Sequence, residues 1–127
     1  MSDRPVRIIL DASAIVAFTR GSIHVGEVIA EIDDEDAAIG LPILCLVEAT
    51  RGAADTDRLD LLVNHRASVL LGDDGASWQA LAATYDIVGR LDAASAALAA
   101  IDLDCAILTA HPGLYGGLAG GGPIIPI

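Results

Sequence analysis

The 127-residue chain contains no lysine: seven arginines are its whole basic complement against eighteen aspartates and glutamates, for a net charge of −11. Nucleic-acid affinity draws heavily on basic side chains replacing counterions along the phosphates, so a surface of this sign repels a polyanion at long range. A polyanionic partner therefore requires bound divalent cations, local arginine clusters or a basic partner protein; the plainer consequence of the charge is solubility. Aromatic residues make up only 3%. Cysteine is scarce too, and Cys45 and Cys105 stand in apolar surroundings without metal-ligand spacing, which predicts buried reduced thiols and no bridge. No apolar run is long enough to span a bilayer, and the opening Met-Ser-Asp-Arg lacks the charged-then-apolar plan of a signal peptide, so a cytoplasmic location is expected. No glycine-rich phosphate loop of the kinase or dinucleotide type lies at a strand–helix junction. Repeats and convincing linkers are absent, and the length fits one domain, residues 1–127, able to bury a core without staples.

The hydrophobic fraction is 54%, much of it alanine, which predicts helices packed closely through small side chains. Strand-like and helix-like segments alternate in the manner of an α/β fold. Val6 to Leu10 is an apolar, β-branched run broken only by Arg7 and reads as a buried strand. Ala12 to Thr19 reads as a short helix ending near Gly21, and His24 to Ile32 as an amphipathic one. The run Asp33-Asp34-Glu35-Asp36 reads as a solvated turn before a strand over Ala37 to Leu41. Pro42 opens a helix over Ile43 to Ala53, Asp57 to Arg66 is another, and Ala67 to Leu71 is a third strand. Asp73 and Asp74 are cap candidates for a helix through Trp78, Leu81, Ala82 and Tyr85, which Gly89 interrupts. Asp92 opens an alanine-rich helix over Ala93 to Ile101, followed by a strand over Cys105 to Leu108, a glycine-rich loop over Gly113 to Gly122 and a terminal edge strand over Pro123 to Ile127.

Three carboxylates stand out. Asp11 follows the first strand directly, and in an open parallel sheet the C-terminal ends of strands are where ligands bind. It is equally a good N-cap for the helix that follows. Glu48 sits among Leu44, Cys45, Leu46, Val47 and Ala49, where a carboxylate is costly unless paired, hydrogen-bonded or on a metal; otherwise it takes an exposed position and pairs with Arg51 three residues on. Asp92 is either a site residue or simply an N-cap.

Asp11 with Ser13 two residues on, Glu48 within Leu-Val-Glu-Ala-Thr-Arg-Gly, Leu91-Asp92-Ala93-Ala94 opening an alanine-rich helix, and a strand ending Ile-Leu-Thr-Ala occur in that order. Over essentially the whole chain the sequence resembles the PIN-domain family, and within it the VapC-like ribonuclease toxins of bacterial toxin–antitoxin modules. The resemblance implies a three-layer α/β/α sandwich on a central parallel sheet, a homodimer, an antitoxin partner, and RNA cleavage with Mg²⁺ or Mn²⁺. By the same resemblance Asp11, Glu48 and Asp92 are the catalytic metal ligands, and Ser13 orients Asp11 or a water, with Thr109 supporting. Phosphodiester hydrolysis needs an activated water and counter-charge, which carboxylate-held divalent ions provide.

The departure falls at the fourth metal position, where the family commonly has an acid after the Thr-Ala pair and this chain has His111. A neutral imidazole binds Mn²⁺ but removes a negative charge and suits Mg²⁺ less well. Asp102 and Asp104 either compensate or are polar residues of the turn before the last buried strand. Backbone contacts to RNA fall to Arg20, Arg51, Arg66 or Arg90, all equally readable as surface ion-pair residues. A PIN-like domain that has lost catalysis and serves as a binding or assembly module is the alternative reading. A phosphatase using Asp11 as nucleophile is disfavoured by Ser13 where a second acid is expected, and a phospho-accepting receiver by the missing lysine.

Overall fold

In the computed structural model, which describes residues 4–52, 55–72, 78–116 and 124–127, the first apolar run forms strand β1, Val6–Leu10. Successive side chains of a strand point to opposite faces, and Ile8, Ile9 and Leu10 are all buried, so both faces of the sheet are covered. The chain continues through helix α1 (Ala12–Thr19), helix α2 (Ile23–Asp34), strand β2 (Ala38–Pro42), helix α3 (Ile43–Gly52), helix α4 (Thr56–Val63) and strand β3 (Ser68–Leu71). Helix α5 (Trp78–Val88), helix α6 (Leu91–Leu103), strand β4 (Ala106–Thr109), a 3₁₀ turn over Pro112–Tyr115 and strand β5 (Ile124–Pro126) complete it. The five strands lie in the order β3-β2-β1-β4-β5, every pair parallel, so the architecture is an α/β/α sandwich.

This strand order places the reversal of the chain at β1. The chain runs outward to β2 and β3 on one side, then returns to β4 and β5 on the other. Register pairs Leu10 with Leu108, so the residues after β1 and those ending β4 emerge side by side. Such a switch point opens a crevice at the carboxyl ends of the strands.

The alanines of α6 explain how the site is drawn together. Ala93, Ala94, Ala96, Ala97 and Ala100 are buried in the core, and α6 packs against α3, α5 and the strands β1, β2 and β4. With no side chain beyond Cβ, the helix lies close to its neighbours. The same burial means that these alanines are spent within the chain, so a second copy would have to meet another surface.

Several local readings are corrected. Pro42 ends β2, paired in register with Leu71, and does not open the helix, although α3 begins at Ile43 as expected. The second helix starts one residue earlier than the periodicity suggested, with Ser22 accepting from the Val25 N–H as its cap, and Gly21 takes the left-handed conformation just past α1. Helix α4 is capped by Asp55, whose carboxylate accepts from the backbone N–H groups of Asp57 and Arg58. Asp73 and Asp74 lie outside the described residues, as do Ala53 and most of the glycine-rich stretch. Strand β5 is an edge, where Pro126 pairs with Thr109 without disturbing an inner ladder.

The acidic run is not one solvated turn. Asp33 and Asp34 belong to the last turn of α2, and the Asp33 side chain is only 13% exposed, held by Arg66 in a two-pronged bond and by Arg4 at 2.8 Å. The pairing ties the entry to β1 and the approach to β3 to the end of α2. Hydrogen bonds from Arg66 and then Arg4 hold the Asp33 carboxyl well below its ordinary value of 3.8. A group lowered in the folded state contributes stability that is complete above the unfolded value and is lost as the pH falls through the folded one. Asp33→Asn removes that contribution, so the fall in melting temperature between about pH 4 and pH 2 should be shallower in the variant than in the parent. Equal slopes in a pH series of thermal melts would contradict this role for the pair.

Candidate active site

Asp11 stands at the switch point, 2% exposed, and caps α1 while forming part of a cavity wall. Capping and site placement, which compete as readings of the sequence, are here the same geometry. One carboxylate oxygen, Oδ1, accepts from the Ala14 N–H at 3.0 Å and from Ser13 Oγ at 2.6 Å; Oδ2 accepts from the Tyr115 hydroxyl at 2.6 Å. A carboxylate has about four acceptor positions, so three are taken and Oδ2 keeps one for a ligand.

The end of β4 is latched onto this carboxylate. An ionised carboxylate only accepts, so the single Ser13 proton goes to Asp11 and Ser13 Oγ must accept from its other neighbours. These are the Ala110 N–H at 2.9 Å and the Thr109 hydroxyl at 3.3 Å, and Thr109 Oγ1 in turn accepts from the His111 N–H at 2.9 Å. The donors run in one direction, from the backbone after β4 through two hydroxyls to Asp11. Thr109 is fully buried and its supporting position is therefore structural as well as polar.

Cys45, Glu48 and Arg51 recur at three-residue spacing on α3 and so share one stripe of the helix. The Cys45 thiol donates to the backbone carbonyl of Asp92 at 3.2 Å, which sets this stripe against the first turn of α6. Cys105 is likewise a buried thiol, and burial, then the charge of Asp104, pushes its pKa up. Asp92 is not the N-cap of α6. That position is Arg90, and Asp92 lies in the first turn, where a negative charge complements the helix dipole.

Asp11, Ser13, Glu48, Asp92 and His111 all border one cavity of about 540 Å³, together with Arg20, Arg51 and Arg90. Thr109 sits behind the wall, and Arg66 is committed to Asp33 elsewhere. Asp102 and Asp104 lie at the far end of α6, some 15 Å along the helix axis from Asp92 at ~1.5 Å per residue, and both are exposed. They do not compensate for His111.

The donor chemistry fits a small hard divalent ion: three carboxylates on one cavity, with His111 beside them. The spacing as it stands does not. Among the described residues no group of three or more aspartate, glutamate, histidine or cysteine side chains is gathered closely enough to hold an ion. Two of the acids hold guanidinium groups: both oxygens of Glu48 face Arg51 Nη1 at 3.3 Å, and Asp92 takes Arg90 through two parallel bonds at 3.2 and 3.3 Å. Arg90 is held charged above its ordinary range by the hydrogen bond and charge of Asp92, and further by the charges of Glu48 and Asp11.

Tyr115 is the residue that sequence reasoning missed. It is buried, and burial first, then the Asp11 charge and hydrogen bond, push its pKa above the usual phenol range, so it stays a donor at neutral pH. Its signal lay in scarcity: a tyrosine placed just past a strand end, in a chain 3% aromatic, is conspicuous.

PAE2754 from Pyrobaculum aerophilum, a solved crystal structure, has a similar fold, with a TM-score of 0.67, 18% identity, and coverage of 95% of this chain and 92% of that one. At that identity the likeness is one of fold. No family model and no curated protein matches the chain.

Tyr115→Phe keeps the packing and removes the donor to a buried charge. Hydrogen bonds to charged groups are worth about 1.5–3 kcal/mol, and the variant should lose that much in urea denaturation at pH 7. Unchanged stability would mean that Asp11 does not depend on this bond.

Proposed function

We propose that the chain is a metal-dependent endoribonuclease of the VapC-like type, with Asp11, Glu48 and Asp92 holding Mg²⁺ or Mn²⁺ and His111 at the rim. The observation that carries this reading is the meeting of three carboxylates from three separate elements with three arginines on one cavity at the switch point of a parallel sheet. Carboxylates suit a hard cation and guanidiniums suit phosphate, and a phosphodiester substrate needs both. The cavity volume lies within the ordinary range of ligand sites.

A divalent ion held by Asp11, Glu48 and Asp92 would supply an activated water near neutral pH and counter-charge for the scissile phosphate. The protein's own contribution is positional. Ser13, Tyr115 and the Ala14 N–H hold Asp11 in one orientation, the thiol of Cys45 keeps α3 against Asp92, and Arg20, Arg51 and Arg90 supply positive charge at the cavity. The net charge of −11 suits a basic antitoxin segment as the regulating partner.

A second reading, a catalytically degenerate PIN-like module that binds or assembles, is favoured by one observation: Glu48 and Asp92 already have arginines for partners. Calorimetric titration with Mn²⁺ and Mg²⁺ separates the two readings. The nuclease reading expects saturable binding that Asp11→Asn abolishes, Mg²⁺ affinity that rises in His111→Asp, and metal-dependent cleavage of a mixed-sequence RNA pool that Asp11→Asn also abolishes. Binding of neither ion by the parent, with binding restored in His111→Asp, would move the assignment to the degenerate module.

A further inference from the structure

We propose that Arg20 anchors a flanking phosphate of the RNA backbone, so that the cavity takes a nucleic-acid chain and not a mononucleotide. This rests on the nuclease reading for the nature of the ligand, and it needs no bound metal. Six of the seven arginines are paired with an aspartate or glutamate. Arg20 is the exception, with no acidic partner among the described residues. In a chain with eighteen acids a guanidinium left without one is conspicuous, and this one is exposed on the wall of the cavity. The acids of the cavity do not cancel it: Glu48 and Asp92 hold Arg51 and Arg90, and Asp11 is buried under three donors. A guanidinium stays charged and presents a planar fork that matches a phosphate.

The ordinary role of an arginine at a helix C-terminus is to complement the negative end of the dipole. At α1 that place is taken by Arg58, whose Nη1 donates to the Thr19 carbonyl at 3.4 Å. The backbone N–H groups of Arg20, Gly21 and Ser22 bond the carbonyls of the last turn, so α1 closes without the Arg20 side chain. Asp11 and Arg20 are the two caps of α1, about 13 Å apart along its axis at ~1.5 Å per residue. Between them the helix turns only Ala12, Ser13, Val16 and Ala17 to the cavity, none of them charged. The separation exceeds the reach of one arginine side chain, so a phosphate held by Arg20 is not the one beside Asp11 but a neighbour along the same chain. Gly52 lies against Val16 and sets the end of α3 beside that of α1, which places Arg51, 76% exposed, to second the contact.

The test is a fluorescence-anisotropy titration of labelled, mixed-sequence single-stranded RNA in chelator, over a series of salt concentrations, with the parent, Arg20→Gln, Arg20→Lys and Arg7→Gln. Arg7 pairs with Glu35 at 3.8 Å, away from the cavity, so its variant reports the effect of net charge alone. The Arg20 side chain is exposed and bonds no described residue, so both its variants should melt as the parent does. Arg20→Gln should weaken RNA binding about tenfold at low salt, the loss of one charge-assisted contact. It should also reduce the slope of log affinity against log salt by about 0.7, the share of one single-strand phosphate. Arg20→Lys should keep the parent slope, and Arg7→Gln should stay within about twofold of the parent at physiological salt, where distant charge is screened. Parent-like affinity and slope in Arg20→Gln would overturn the anchor and leave the nuclease reading standing. Equal losses in Arg20→Gln and Arg7→Gln would overturn it in favour of a general charge effect. Displacement of the RNA by inorganic phosphate at matched ionic strength would make Arg20 a site for the free ion and overturn the contact with a chain. No binding of RNA by the parent would remove the nucleic-acid ligand, and the anchor with it. Because no metal is present, the anchor stands or falls apart from any metal site.

Discussion

A carboxylate buried at the end of a strand has to be met by donors, and in this protein the donors that meet Asp11 come from the parts of the chain that must be assembled around it. Ser13 and Ala14 belong to α1, and Tyr115 comes from beyond β4. The cost of burying the charge is offset only when all three are in place. The same bonds therefore close the fold at its switch point and fix the one carboxylate orientation that the cavity presents. A strand order that reverses at β1 makes this possible, because it brings the end of β4 beside Asp11 across the whole length of the sequence.

The seven arginines complete the account of charge. Arg4 and Arg66 serve Asp33 and the joining of α2 to the sheet, while Arg7 and Arg58 make exposed pairs with Glu35 and Asp55. Arg20, Arg51 and Arg90 are gathered on the cavity. An acidic protein thus carries a local group of guanidiniums on the cavity at its switch point. Long-range repulsion and short-range attraction then act on different scales, the first screened within about 8 Å at physiological salt.

Much of this was legible in the residues. The apolar runs at β1, β2 and β4 and the alanine-rich helix each have lengths and periods that local physics sets, and their alternation specifies a parallel sheet with helices on its faces. Asp11 stands out at a strand end and Glu48 within an apolar stretch, whereas Asp92 reads locally as a helix start and gains a site role only from the resemblance. What the sequence hid were partners distant along the chain. Asp33 looked like one of four solvated acids until Arg4 and Arg66, 29 and 33 residues away, closed on it. Tyr115 lay 104 residues from Asp11 in a stretch that reads as loop. Pro42 and Asp92 were placed one or two positions wrongly relative to their helices, since a helix start depends on where the preceding strand stops pairing.

If the chain takes a divalent cation, as proposed, the cavity at the switch point is the expected place and the acidic run at the end of α2 is not. Paramagnetic broadening of backbone amide signals by substoichiometric Mn²⁺ tests it most directly, because it locates the ion without any choice of substrate. The account predicts selective loss of signals from residues 11–14, 48 and 91–93, together with 109–111. Broadening centred on residues 33–36, or spread evenly over the acidic surface, would contradict it.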